Sequence, residues 1–400
     1  MSRPAAEIRR IVAIEPVVEG YAHAKLNTAL LQMLSAAFPR AKLRFLADPS
    51  HLDFVLGSLD KELGIEGEPI EIPRYDQREG PLRIAGELAW TRRFREELYE
   101  SQLGLICGFS QLGLAITKLR LLMSSNRTPT WGIIHAILAK VAVHETSLPR
   151  RILSPGATLR WPQPQALRFL ALGPSIAEAL RSVDPRIAPH FDTLPVPWSW
   201  PDELLPTAPV VPKNRDSMVL AVVGGGGARL PEAAEVARGF FRARPDARCR
   251  FEYVGYAHPE VTRSIGGLLG ELPAEPLSDA DFAKQLGRAT YVFGLNGDAK
   301  YDFCPSSALH DTFSFSKPSL QLESGYITER LRAFPGTGEV FPSLDALVSG
   351  LVRTYDEYDP EEYREQATAT RRAAAAHEPL AVAPIFRALV DSRIGAGVPE

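Results

Sequence analysis

Ile11-Val12-Ala13-Ile14 is an uninterrupted apolar run, and the stretch Ala24 to Phe38 behind it places Leu26, Leu30 and Leu34 at helical spacing, with Leu31 and Phe38 beside them. A buried strand leading through a short loop into an amphipathic helix is predicted. The unit recurs. Leu43–Ala47 reads as a strand followed by a helix over Ser50–Leu63, and Leu103–Cys107 as a strand followed by a helix over Gln111–Met123. Thr130–Ile134 and Leu167–Leu172 supply two further strands. Strands alternating with helices imply a parallel sheet covered on both faces.

The alternation stops in a segment that fits neither period and carries Pro195, Pro197, Pro201, Pro206, Pro209 and Pro212. This is the linker expected between two domains. Beyond it the pattern resumes with strands over Met218–Val223, Phe251–Val254, Tyr291–Leu295 and Ser319–Leu322, and helices over Leu230–Phe241 and Asp279–Leu286. Ser278 and Asp281 stand at the N-cap and N3 positions of the last of these. The tail reads as helices over Leu344–Tyr355, Glu361–Ala376 and Ala383–Val390. The division expected is therefore 1–205, 206–360 and a helical tail, 361–400.

Four hundred residues exceed what one hydrophobic core usually organises, in keeping with two domains. Lys and Arg number 45 against 48 Asp and Glu, a net charge of −3 that leaves no excess for wrapping a polyanion, so no nucleic-acid partner is expected. Cys107, Cys249 and Cys304 are too scattered for a disulfide framework or a cysteine-rich zinc site. With no signal-peptide core at the N-terminus and no apolar run long enough to span a bilayer, a cytoplasmic protein is expected. The pairs Arg92-Arg93 and Arg371-Arg372 read as solvated helix faces that leave room for contact with anionic lipid at the inner face of a membrane.

Ligands of open α/β sheets bind outside the carboxyl ends of the strands, so the loops there carry the candidate chemistry. In the first half, Glu15 to His23 joins strand to helix without the G-x-G-x-x-G of dinucleotide sites, and His135 follows a buried strand directly. In the second half, Gly224-Gly225-Gly226-Gly227-Ala228-Arg229 opens a helix. Glycines allow close approach of backbone N–H groups to an anion, the helix start adds its dipole, and Arg229 adds a bidentate donor; no G-K-[ST] follows, so a nucleotide triphosphatase loop is not supported. A third element, Cys304-Pro305-Ser306-Ser307, starts a short helix that carries Asp311 one turn further on.

That last stretch resembles the donor-side motif of GT-B glycosyltransferases, E-x7-E-A-hydrophobic-x-x-G-x-P, whose second half is similar to Asp311-Thr312-Phe313-Ser314-Phe315-Ser316-Lys317-Pro318. Asp311 stands where the family has its second glutamate, Phe303 where it has the first, and Ser316 where it has glycine. The resemblance implies two Rossmann-like, doubly wound domains facing across a cleft, with C-terminal helices crossing back to the first. It implies a nucleotide-sugar donor, its diphosphate held by Gly225, Gly226, Gly227 and Arg229 with Ser306 and Ser307, and its ribose by Asp311. It further implies transfer to a glycan or lipid-linked acceptor, as in surface polysaccharide biosynthesis, with no cofactor and no essential metal. An inverting reaction needs a base at the acceptor hydroxyl. His135 is the first choice because its strand should hold it rigidly, and His23 and Asp76 follow. A nucleotide-sugar epimerase and a non-catalytic nucleotide-binding scaffold are the rival readings, the second because Phe303 replaces a glutamate.

Overall fold

The computed structural model describes residues 7–73, 81–142, 148–225, 227, 229–263, 265, 267–297 and 299–395. The chain divides into two compact units: the first holds Met1–Ser199, Asp302–Pro305 and His377–Glu400, the second Trp200–Tyr301 and Ser306–Ala376.

The first unit is built on strands β1 (Arg10–Glu15), β2 (Lys42–Ala47), β3 (Glu66–Pro69), β4 (Leu103–Ile106), β5 (Thr130–Ile133), β6 (Leu167–Ala171) and β7 (Phe191–Thr193). They form one parallel sheet in the order β3-β2-β1-β4-β5-β6-β7. Ile14 lies opposite Leu46 and Ile106, so Glu15, the next residue, stands at the carboxyl rim of the sheet. The direction of winding reverses between β1 and β4. A crevice opens at such a switch point, which puts the loops after Glu15 and after Ile106 side by side.

Two consequences of packing escaped the hydrophobic pattern. The helix Pro81–Glu100 buries Glu87 and Glu97 while exposing Leu82 and Leu88, so its sequence lacks a clean apolar stripe. Charge pairing holds it: Arg93 meets Glu68 of β3 at 2.6 Å and Glu97 at 2.6 Å, and Arg44 of β2 meets Glu97 at 2.9 Å. Arg93 is thus a structural residue and not a solvated one, whereas its neighbour Arg92 is exposed.

The C-terminal helix Pro379–Gly395 belongs to the first unit and packs on the helix Ala24–Ala37. Phe386 meets Phe38 and Trp131 edge-on at 6.4 and 5.6 Å, and the Arg387 guanidinium lies over the Phe38 ring at 4.9 Å. The helix Pro360–His377, expected to travel with it, belongs to the second unit through Ala376. Its Tyr363 is fully buried there, against Tyr291, and donates to the Thr290 carbonyl.

The second unit carries β8 (Val219–Gly224), β9 (Arg250–Gly255), β10 (Tyr291–Gly294), β11 (Ser319–Leu322) and β12 (Gly338–Phe341), parallel in the order β12-β11-β10-β8-β9. Leu220, Val222, Phe240, Phe251, Phe293 and Leu351 fill its core. The winding reverses between β8 and β10, so the glycine-rich loop after β8 and the segment after β10 meet at the second switch point. The unit begins at Trp200 and not at 206 because that indole is anchored inside it, stacked on Phe282 at 5.4 Å and edge-on to Phe315 at 5.0 Å.

Candidate functional site

At the switch point of the first unit a chain of polar side chains runs inward from the rim. Glu15 is fully buried, and one carboxylate oxygen accepts from the Val17 amide (3.0 Å) while the other accepts from the Asn27 side chain (3.1 Å). The Asn27 amide also meets His51 Nε2 at 2.8 Å, and His51 Nδ1 meets the Gly20 carbonyl at 2.7 Å. An Nδ1–H tautomer of His51 satisfies both contacts, with Nε2 accepting. Burial pushes the His51 pKa down, consistent with that neutral ring. Burial alone would raise the Glu15 carboxyl, but His23 and Asn27 outweigh it and hold its pKa below the ordinary value, so a buried carboxylate is kept ionised.

His23 faces that carboxylate, with Nδ1 3.7 Å from Glu15 Oε2. It occupies the N-cap position of the helix Ala24–Ala37 in the left-handed region, φ 59°, a conformation that costs energy for any non-glycine residue. Its other nitrogen, Nε2, lies 3.3 Å from Nε2 of His135, which opens the short helix after β5. The side chain of His23 is 30% exposed, against 8% for His135 as a residue. A Cβ on Gly108, in the loop after β4, would sit 3.0 Å from Glu15, so glycine lets that loop lie against the carboxylate without displacing it. Two of the three expected bases, His23 and His135, therefore come together; Asp76 lies outside the described residues. Glu15, Asn27 and His51 were not foreseen, and the one sequence signal for Glu15 is a charge directly after a buried strand.

At the second switch point a small pocket is lined by Val223, Arg229, Asn296, Ala308, Thr312 and Gln321, among others. Gly227 has φ 77° and would press a Cβ to 3.0 Å from Ala257, so glycine is required there. Gly225 lies beside it; Gly226 is outside the described residues. Arg229 reaches the pocket and pairs with Glu232 at 3.3 Å. Ser306 caps the helix Ser307–Ser314, its hydroxyl accepting from the Leu309 amide and the Asn296 side chain, and it is buried. Ser307 is exposed. Asp311 accepts from the Trp200 indole at 2.8 Å and is 7% exposed, so a nucleoside would have to share this carboxylate with the indole. Asn296, Thr312 and Gln321 are pocket groups the sequence did not single out; Gln321 reaches it because Gly294 has no side chain where its amide lies.

No protein-family model matches the sequence, and no curated protein matches it significantly. Solved structures do. Sucrose-phosphate synthase from Thermosynechococcus elongatus is 14% identical, with a TM-score of 0.68 over 97% of this chain and 100% of that one. The Anabaena protein HepE, in complex with UDP and glucose, is 13% identical with a TM-score of 0.65 over 96% and 100%. A protein assigned as UDP-N-acetylglucosamine 2-epimerase from Listeria monocytogenes is 14% identical with a TM-score of 0.58 over 98% of each chain. The chain has the two-domain, Rossmann-like GT-B fold that its sequence led us to expect.

Proposed function

We propose that the protein is a glycosyltransferase that moves a sugar from a nucleotide-sugar donor to a glycan or lipid-linked acceptor, in surface polysaccharide biosynthesis. The observation that carries the reading is His23, which stands at a switch point with an ionised, fully buried carboxylate behind it and solvent in front. A base needs its imidazole held in one tautomer and its positive charge stabilised once the proton arrives. Glu15 supplies the stabilising charge on the Nδ1 side of the ring, from 3.7 Å, an ion-pair distance that shortens to a hydrogen bond once the ring is protonated in this reading.

In this reading the acceptor hydroxyl displaces the His135 hydrogen from His23 Nε2 and gives its proton to that nitrogen as its oxygen bonds to the anomeric carbon, and the nucleoside diphosphate leaves with the bonding electrons. His135 orients His23 and does not act as the base, because it is the more buried ring and faces the working nitrogen. The departing diphosphate is assigned to the second unit, where the loop around Gly225–Gly227, Arg229 and the Ser307 end of its helix supply positive charge and N–H donors. Asp311 is assigned to the ribose on the strength of the motif. UDP and glucose in the HepE structure support a nucleoside diphosphate sugar as donor.

Incubation with a panel of nucleotide sugars, with and without short glycan acceptors, tests the reading. Acceptor-dependent release of nucleoside diphosphate supports it. Isomerised donor without release would make the protein an epimerase, and nucleotide binding with neither outcome would leave a scaffold.

A further inference from the structure

The helices Pro81–Glu100 and Gln111–Leu122 lie side by side in the first unit, joined where Arg120 donates to the Leu88 carbonyl at 3.1 Å and Tyr99 meets Ser124 at 3.2 Å. Their outer stripes differ in chemistry. On the first, Leu88, Arg92, Arg95 and Tyr99 follow at intervals of four, three and four and share one face. On the second, Leu112, Ile116, Leu119 and Met123 repeat that spacing with apolar side chains alone. Met123 is 79% exposed and Leu119 46%, and Leu122 beside them is exposed as well.

The arginines gather along this apolar stripe. Burial and the charges of Arg95 and Arg92 together hold the Arg120 pKa below its usual value, which places three guanidinium groups in one field, and exposed Arg127 follows just beyond Met123. Glu96 offsets part of that charge through its pair with Arg92 at 2.9 Å.

We propose that this face seats on an anionic lipid bilayer, its arginines among the headgroups and Leu119, Leu122, Met123 and Tyr99 at the acyl boundary. Exposed leucine and methionine flanked by arginine and tyrosine is the chemistry of an interfacial surface. A second copy of the chain fits less well, because a two-fold contact through this face would bring arginines of like sign together. Leu112 lies in the first turn of a helix capped by Ser110, two residues after the Gly108 that abuts Glu15. The apolar stripe thus begins four residues after Gly108 of the loop that lies against Glu15, on the side from which a lipid-linked acceptor would be presented in the proposed reaction. That last step rests on the proposed function; the membrane contact does not.

Co-sedimentation of the full chain with phosphatidylcholine vesicles, alone or with about one third phosphatidylglycerol, tests it without any donor. Binding to the anionic vesicles is expected, weakened about tenfold or more by Leu122→Ser with Met123→Ser and several-fold by Arg127→Glu, since each basic residue near such a surface contributes about 1 kcal/mol. The variants should keep the wild-type unfolding midpoint and the wild-type rate with a soluble acceptor. No binding to anionic vesicles, or binding that these substitutions leave unchanged, would overturn the proposal. So would a concentration-dependent dimer that Met123→Ser dissolves, which would assign the face to a second copy.

Discussion

The Nε2 atoms of His23 and His135 lie 3.3 Å apart, although 112 positions separate the two residues in sequence. At that distance one ring must donate and the other accept. A His135 tautomer with its hydrogen on Nε2 lets His23 Nε2 accept and leaves the His23 Nδ1–H directed at Glu15, 3.7 Å away.

The pair makes a ranked prediction. His23→Ala should lower turnover by about 10²-fold to 10⁴-fold, the usual worth of a general base, with donor affinity near wild type. His135→Ala should cost less because it removes an orienting partner. Glu15→Gln should fall between them, since the amide keeps the shape and loses the charge that stabilises the imidazolium. Steady-state kinetics on the three variants, with donor affinity measured by calorimetry, checks the order. If His135→Ala is the most damaging of the three, the base is His135.

The donor loop makes a second. Arg229→Ala should weaken uridine diphosphate binding about tenfold, since a charge-assisted hydrogen bond is worth about 1.5–3 kcal/mol. Gly227→Ala should do the same by another route. Its φ of 77° and the 3.0 Å approach to Ala257 force the loop to shift, so affinity and thermal stability should fall together, whereas Arg229→Ala should leave the unfolding midpoint in place. Titration calorimetry and thermal unfolding on the same samples separate the two.

Local residue types reveal some of these elements and hide others. β1, β4 and β8 are apolar runs buried on both faces, and hydrophobic patterning located each within a residue or two. β3 reads Glu-Gly-Glu-Pro and β12 Gly-Glu-Val-Phe; both are edge strands with few apolar residues, held by backbone pairing to one neighbour, and their residue types carry no signal. At the candidate site, His135 stood out because it follows a strand end and His23 because it closes the loop from strand to helix. The carboxylate behind His23 did not, because Glu15 gains its meaning only when Gly108 closes over it and Asn27 turns toward it. Arg93 was hidden for a like reason: its partner Glu68 sits in a strand that the pattern could not show.

Two buried lysines predict a pH dependence of stability. Lys118 donates to the Leu159 and Trp161 carbonyls and Lys317 to the Gly287 carbonyl, and burial lowers each pKa to about 8. From pH 8 toward the ordinary lysine pKa of about 10.4, the unfolded chain binds more protons at these sites than the folded one, so stability rises with pH across that window. The full effect is at most about 3 kcal/mol per lysine, because a tenfold change in proton affinity is worth about 1.4 kcal/mol. The rise is opposed from about pH 8.5, where the unfolded chain loses the protons of Cys107 and Cys249 while burial keeps both thiols protonated in the fold, and again above about pH 10, where Tyr291 and Tyr363 behave in the same way. The difference between wild type and Lys118→Met with Lys317→Met isolates the lysines: the wild-type denaturant midpoint should gain on that of the variant from about pH 7.5 to 10. A constant difference across that range would show that these lysines are not charged and buried together.

The bond from Trp200 to Asp311 predicts that one carboxylate serves two purposes. The indole N–H is buried and donates at 2.8 Å, so Trp200→Phe should destabilise the protein by about 1.5–3 kcal/mol, the worth of a hydrogen bond to a charged group. Asp311→Ala should cost a similar amount, and the double variant should cost less than the sum, because neither partner is then left buried without the other. Asp311→Asn separates structure from binding. The amide oxygen can still accept from Trp200, so the unfolding midpoint should stay near wild type. A ribose that donates to a carboxylate should then lose affinity, while inorganic pyrophosphate, which has no ribose, should bind as before. Equal affinity of wild type and Asp311→Asn for uridine diphosphate would leave Asp311 as the anchor of the linker tryptophan and remove it from the donor site.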